Sequence, residues 1–315
     1  MTQTESYQNI SILTENADFR FSASSINLYL RCPRQFYYSR LLGLATPDRP
    51  AAAFGRYLHR QLESLHDWAF KLPARPDVSA VLAQLSQIET IIWSEFAEKL
   101  GPIAQAQAQR VRASRILEEY ARHEFGRSDP PHSTLYEEAM VQPFKLGPYE
   151  IIGRIDRIDL FEDGKAEIID YKTGRKDEGP NAIIKQFLNL ANKANWRASD
   201  YQLPLYYFYW LNYQGQPPRA LAHYHLRDAK GVRLLKIAVK PGEVPASEQN
   251  KGLRTVLYEG DMKRVYNELL VLLEEISQGN RGFPAQPAEG LRECERCPFA
   301  FACEGPGHLS EDETE

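Results

Sequence analysis

The sequence has no uninterrupted apolar run of roughly 18 residues, the length at which a helix becomes a membrane-span candidate, so no membrane association is expected. Its opening, Met1-Thr2-Gln3-Thr4-Glu5-Ser6, lacks a basic segment followed by an apolar one. No secretory signal is therefore expected, and the default compartment is the cytoplasm. No Gly-x-x-x-x-Gly-Lys-Ser/Thr segment occurs, which excludes a P-loop motor from this chain. Positive charge is not in excess: 38 Lys and Arg meet 42 Asp and Glu, a net charge of −4. That excludes a protein that coats nucleic acid by bulk charge, while leaving room for a local basic groove. Cysteine is scarce, with only Cys32, Cys294, Cys297 and Cys303. In a reducing compartment such a group points to metal binding or redox chemistry rather than disulfides.

What is present suffices for a sizeable core. The 315 residues are 43% hydrophobic, which fits one large domain, or a core with a helical insertion, and excludes global disorder. Two segments carry a conflict that points to chemistry. Glu167-Ile168-Ile169-Asp170-Tyr171-Lys172-Thr173-Gly174 reads as a buried strand. Yet Asp170 and Lys172, two apart, project from one face. A buried charge is costly unless it is paired or binds a metal. The preceding segment, Glu150 to Leu160, has strand character and carries Asp156 and Asp159. Asp163-Gly164 offers a tight hairpin turn between the two. Folding on that turn brings Asp156 beside Asp170, so two carboxylates and a lysine converge. Carboxylate oxygens suit Mg²⁺ or Mn²⁺, and a lysine can orient water and stabilise developing negative charge. That is equipment for metal-assisted phosphodiester hydrolysis. The three-cysteine group Cys-x2-Cys-x5-Cys with a distant Cys32 suits either Zn²⁺ or an iron–sulfur cluster, since both take four thiolates.

Gly153-Arg154-Ile155-Asp156-Arg157-Ile158-Asp159 followed by Asp170-Tyr171-Lys172-Thr173-Gly174 resembles the RecB-type branch of the PD-(D/E)XK nucleases. That branch includes the RecB and AddB nuclease domains and the RecB-like CRISPR-associated exonucleases. The resemblance extends from Ser25 to Cys303. It implies an α/β, restriction-endonuclease-like core, a mixed central sheet flanked by helices. It also implies a helical insertion over 71–130 and a cysteine module over 291–303 joined to the N-terminal segment. Residues 1–20 are expected to be flexible and 304–315 an acidic disordered tail.

The resemblance assigns Asp156 and Asp170 as metal ligands, with Lys172 as the catalytic lysine. His59, in Gly55-x3-His59, would be an additional ligand, and the Tyr171 carbonyl another. Gln202 and Tyr206 match the family's Gln-x3-Tyr motif and would hold the substrate or the lysine. Asp159 is not expected to bind metal. Cys32, Cys294, Cys297 and Cys303 match the iron–sulfur subgroup one for one, which implies a [4Fe-4S] cluster, with Zn²⁺ the less expected occupant. The implied activity is a Mg²⁺- or Mn²⁺-dependent DNA exonuclease acting on single strands, in repair, recombination or CRISPR adaptation. A helicase or CRISPR adaptation proteins would be its partners. The alternative is a non-catalytic DNA-binding scaffold in a helicase–nuclease complex.

Elsewhere the pattern predicts a helix beginning at Ser24 or Ser25 and interrupted near Cys32-Pro33, and a helix from Phe54 to about Phe70 with core stripe Leu58, Leu62, Leu65 and Ala69. Two long helices are expected over 76–128, with Arg110, Arg112 and Arg115 on a solvated face. A strand is expected over Leu135 to Leu146, and Trp196 either packs on the core or stacks on a base. Strands are predicted over Leu221–Arg227 and Val232–Val239, with His223 and His225 as surface histidines, and a helix over Asp261–Ser277.

Overall fold

A computed structural model of the chain describes residues 19–46, 49–135, 142–174, 181–193, 196, 200–228, 231–249, 254–279, 282–287 and 291–303. Eight strands are present among them: β1 Ser133–Leu135, β2 Phe144–Leu146, β3 Tyr149–Ile151, β4 Arg157–Leu160, β5 Ala166–Lys172, β6 Ala220–Asp228, β7 Gly231–Lys240 and β8 Val256–Tyr258. Six of them form a mixed sheet in the order β1-β4-β5-β6-β7-β8. β5 and β6 run parallel at its centre, and β4 pairs antiparallel with β5. The hairpin between β4 and β5 closes where expected, with Gly164 at φ +73° donating its N–H to the Phe161 carbonyl. The crossover from β5 to β6 carries the helices Ala182–Leu190 and Gln202–Gln214. A mixed central sheet flanked by helices is the expected α/β architecture.

Both faces of the sheet are covered, so the middle of β5 is apolar and the charges at its two ends are paired, Glu167 with Arg219 and Lys236 and Asp170 with Lys172. On one face Ile158, Ile168, Leu221 and Ile237 pack with residues of the Ala23–Arg31, Gln202–Gln214 and Glu259–Gln278 helices. On the other, Ile169, Tyr171, Ala222 and Tyr224 pack with the helices Pro50–Phe70, Val78–Phe96 and Ile103–Phe125. Leu58, Leu62 and Leu65 of the first of these are fully buried, each stabilising by about 1.5–3 kcal/mol. The two long helices expected over 76–128 thus form part of a full layer on the sheet. Arg110 forks onto Glu89 at 2.6 and 2.7 Å and lies over Trp93, so it is committed within that layer.

That second face also holds a buried polar network. Arg157, wholly inaccessible, donates to Asp159, Glu124 and the Tyr120 hydroxyl at 2.6–2.8 Å. Tyr120 in turn meets Tyr171 and His66 through its hydroxyl. Every polar atom of the guanidinium fork named here faces an acceptor, as burial of a cation requires.

Several expectations fail for identifiable reasons. The strand expected from Glu150 to Leu160 is interrupted: β3 ends at Ile151 and β4 starts at Arg157. β3 belongs instead to a separate two-stranded sheet with β2, and Phe21 bridges to Ile151. The segment 135–146 is divided between β1 and β2, and Glu137 and Glu138 lie outside the described residues. The first helix is capped by Ser22, whose hydroxyl accepts the Ser25 N–H in a capping box, rather than by Ser24 or Ser25. His223 and His225 are buried, at 3% and 0% exposure, because β6 is an interior strand covered on both faces. Residues 241–255 are expected to form a loop; the turn of helix Ala246–Gln249 falls within them, and the short strand β8 follows. Trp196 packs in the core with Lys193 over its ring, which removes it as a base-stacking platform here.

Candidate active site

The β4–β5 register pairs Arg157 with Ile169, and so sets Asp156 opposite Asp170. The contact is direct: the Tyr171 backbone N–H donates to Asp156 Oδ2 at 2.9 Å. Asp156 Oδ1 lies 3.2 Å from His59 Nδ1, carried by the Pro50–Phe70 helix. Burial pushes Asp156 up, but the His59 charge and hydrogen bond, the Tyr171 N–H and the Lys172 ammonium outweigh it and hold the carboxyl below its ordinary range. Burial works against the charged form of His59, yet Asp156 and Asp170 raise it overall.

Asp170 is only 1% exposed. Its Oδ2 sits 2.8 Å from Lys172 Nζ, while Oδ1 has no hydrogen-bond donor among the described residues. Burial pushes the Asp170 carboxyl up, Lys172 opposes this, and the Asp156 charge adds to it. Burial alone would lower Lys172, but Asp170 and Asp200 more than offset it and the ammonium is favoured. Lys172 Nζ donates to Asp200 Oδ2 and Gln202 Oε1 at 2.8 Å and forms an ion pair with Asp170 Oδ2 at the same distance. Gln202 Nε2 in turn reaches the Tyr206 hydroxyl at 3.4 Å, one helical turn on.

The residues expected from the sequence therefore come together: His59, Asp156, Asp170, Lys172, Gln202 and Tyr206. The Tyr171 side chain turns to the opposite face, while its N–H serves Asp156. Glu63 reaches Arg154 at 2.8 Å and Arg60 at 3.1 Å, which makes it a charge partner of the Gly153-Arg154 segment. Asp159 is committed to Arg157 on the far face and is no ligand candidate.

Asp200 was missed by the sequence reading. It accepts from Asn27 Nδ2 at 2.9 Å and from the Gln202 N–H at 3.1 Å through Oδ1, leaving Oδ2 for Lys172. Its signal was available: an acid just before a helix start can cap that helix and lie where its first residue lies. His223 and His225, register partners of Asp170 and Lys172 on β6, were misjudged for want of the parallel pairing.

Among the described residues no group of three or more His, Cys, Asp or Glu side chains stands close enough, as arranged, to enclose a metal ion. The donor set still fits a hard divalent cation. Asp170 Oδ1 is a buried carboxylate oxygen without a donor, and the Asp156 carboxylate and His59 imidazole lie near enough for their charges to act on Asp170.

The four cysteines line one cavity of about 110 Å³, between the Cys32-Pro33 break and the C-terminal segment. All four are free and half-buried. Burial pushes the Cys294 thiol up, and the other three cysteines push it further. Four cysteines lining one cavity form a donor set that fits a thiolate-bound cation or cluster. Tyr38 donates to the Ala302 carbonyl at 2.9 Å, and Arg34 to the Phe283 carbonyl at 2.8 Å, tying the two segments together.

A family profile described as the PD-(D/E)XK nuclease superfamily matches residues 20–304. The chain belongs to that superfamily, which implies a nuclease-type hydrolase acting on DNA and in general served by divalent metals such as Mg²⁺ or Mn²⁺. Among solved structures, the crystal structure of SSO0001 aligns at 16% identity with a TM-score of 0.35, over 93% of this chain and 92% of that one. A search of curated proteins finds none that matches. No helix among the described residues is long and apolar enough to cross a membrane.

Proposed function

We propose that this chain is a Mg²⁺- or Mn²⁺-dependent exonuclease of the RecB/AddB type that hydrolyses single-stranded DNA, with Cys32, Cys294, Cys297 and Cys303 holding a [4Fe-4S] cluster. The observation that carries the reading is the donorless, buried Asp170 Oδ1 beside Asp156 and an ammonium that pairs with Asp170 Oδ2 while donating to Asp200 and Gln202. A buried anionic oxygen left unpaired is costly, and a cation removes that cost.

Asp156, Asp170 and His59 would hold the metal, with the Tyr171 carbonyl as a further donor. Such an ion polarises the phosphate and lowers the pKa of bound water. Lys172, held as an ammonium, does not accept a proton; it orients water and stabilises charge on the phosphate oxygens. Gln202 fixes the lysine and Tyr206 fixes Gln202. In the cysteine module the cluster serves as a staple, since joining residue 32 to residues 294–303 closes a long loop. That stabilises by on the order of 4–5 kcal/mol by the cross-link estimate. An external helicase or CRISPR adaptation proteins would supply the strand in the cell.

The test is cleavage of end-labelled single- and double-stranded DNA by protein purified without oxygen, with Mg²⁺ or Mn²⁺, beside Lys172→Ala. Metal-dependent cleavage lost in the variant supports the reading, and the labelled end reports polarity. Folded, cluster-loaded protein that cuts nothing refutes it and favours the scaffold.

A further inference from the structure

Beside the catalytic groups lies a recess of about 180 Å³ to which no role has been assigned. One wall is a single face of the Gln202–Gln214 helix, formed by Gln202, Leu205, Tyr206 and Tyr209. Their i, i+3, i+4, i+7 spacing runs the wall about 10 Å away from the lysine. The opposite wall is Ile152 to Ile155, the interrupted stretch that leads straight into Asp156. Phe144 and Ile151, both buried, complete an apolar and aromatic floor. Ser22, Ser24 and Arg154 give a polar rim.

We infer that this recess receives one unpaired nucleobase, that of the nucleotide next to the scissile phosphate. The inference rests on the nuclease reading and deepens it. Four features select that ligand. Drug-sized ligands need pockets of roughly 300–1,000 Å³, so this one suits a single ring system. Its floor is aromatic, as base-stacking sites are. Its rim is polar at the edge, where a base carries its polar atoms, with Ser22 in the helix cap, Ser24 beside Arg40 and Arg154 paired with Glu63. It opens from the segment holding Asp156 and shares Gln202 and Tyr206 with the catalytic side, so a nucleotide whose phosphate meets the acids is within reach. A base seated there has left its partner, which makes the substrate single-stranded or frayed.

Gly153 acquires a reason in the same geometry. A Cβ built there comes no closer than 4.0 Å to anything, the nearest atom being Tyr206 Cε1. Backbone conformation does not demand glycine at this position, since its φ is not positive. A longer side chain would instead project toward the tyrosine and fill the recess.

The experiment uses the full chain, Mn²⁺, and a single-stranded oligonucleotide with or without one abasic nucleotide at a defined position. Cleavage is mapped bond by bond for wild type, Gly153→Leu and Tyr209→Ala, and Mn²⁺ affinity is measured for each. The expected result is a drop of about 5- to 150-fold in wild-type cleavage confined to a bond flanking the abasic position, the range that stacking of one base provides. Gly153→Leu should cut intact DNA slower by a similar factor, lose the abasic effect and keep its Mn²⁺ affinity. Undiminished wild-type cutting beside the abasic nucleotide overturns the inference and leaves the nuclease reading standing. So does an abasic effect that persists in Gly153→Leu. If Gly153→Leu no longer binds Mn²⁺, Tyr209→Ala decides by the same criterion. Wild type that binds Mn²⁺ and cuts no DNA refutes the nuclease reading and this inference with it.

Discussion

The competition for Lys172 yields a quantitative prediction about metal affinity. Its ammonium is shared among Asp170, Asp200 and Gln202, each at 2.8 Å. A cation bound at Asp170 must take that carboxylate from the lysine, and Asp200 is the carboxylate that keeps the lysine satisfied. Substituting Asp200→Asn removes that alternative, the ammonium settles on Asp170, and metal binding weakens. An unscreened pair at this distance is worth about 6 kcal/mol at an effective dielectric of ~20. The lysine side chain is 22% exposed and Asp200 34%, so solvent screening reduces the coupling to about 1–2 kcal/mol. The expected change is a rise of about 5- to 30-fold in the Mn²⁺ dissociation constant.

The assay is calorimetric or EPR titration of the full chain with Mn²⁺, in a double-mutant cycle. Lys172→Met should bind Mn²⁺ more tightly than wild type, since the competing cation is gone, while losing cleavage. In the Lys172→Met background, Asp200→Asn should then have no further effect. The same loss in both backgrounds would refute the reasoning, because Asp200 would then be acting on the ion directly.

Other predictions concern His59, the buried network and the cysteines. Asp156 raises His59 above its ordinary value although burial opposes this, so in metal-free protein the pair is fully stabilising below the unfolded pKa of about 6.5 and is lost as pH rises through the folded value. Metal needs the neutral ring, so Mn²⁺ affinity should fall as pH drops through the raised value; an equally steep fall in His59→Gln would count against ligation. Tyr120→Phe removes the hydroxyl shared by Arg157, Tyr171 and His66, a cost of about 1–3 kcal/mol. For a chain of 315 residues that lowers Tm by about 1.5–4.5 °C in calorimetry, and no shift would mean the network is dispensable. Cys32→Ser should abolish the visible absorption of protein purified without oxygen and lower Tm; a colourless wild type holding stoichiometric zinc would replace the cluster with Zn²⁺.

The sequence made some features legible and hid others for physical reasons. β5 could be read as a buried strand from its apolar run between turn signals, and as a site because Asp170 and Lys172 on one face match the family motif. The Asp163-Gly164 turn then fixed which residues lie opposite it. The interruption at Ile152–Asp156 was hidden because local β-propensity continues through it, while the pairing of β3 with β2 is a long-range choice. His223 and His225 were hidden for a related reason: nothing local says that β6 lies parallel to β5 with both faces covered. Asp200 lay in a polar stretch with no periodicity, where its place just before a helix start was the only local sign and the contacts with Asn27 and Lys172 supply its role. Arg110 looked solvated because its partner Glu89 belongs to another helix.

The same strand serves two networks, and this explains how a charged site survives in a packed sheet. Asp170 and Lys172 face the Gln202–Gln214 helix, while Tyr171 between them faces the Tyr120 hydroxyl. Across the hairpin Asp156 faces the site and Arg157 faces Glu124 and Asp159. Asp156, Asp170 and Lys172 are thus each flanked in sequence by a residue anchored on the opposite side, so the strands that carry them are held from the far face while Asp170 Oδ1 stays without a donor. The Ala23–Arg31 helix adds a third tether. Asn27 holds both Asp200 and the Tyr201 N–H, and the helix ends at Cys32 on the cysteine cavity. A rigid helix therefore spans the distance between the thiol group and the acceptor of the lysine. The two constellations, separate in sequence, thus meet on one helix, at Asn27 and at its Cys32 end.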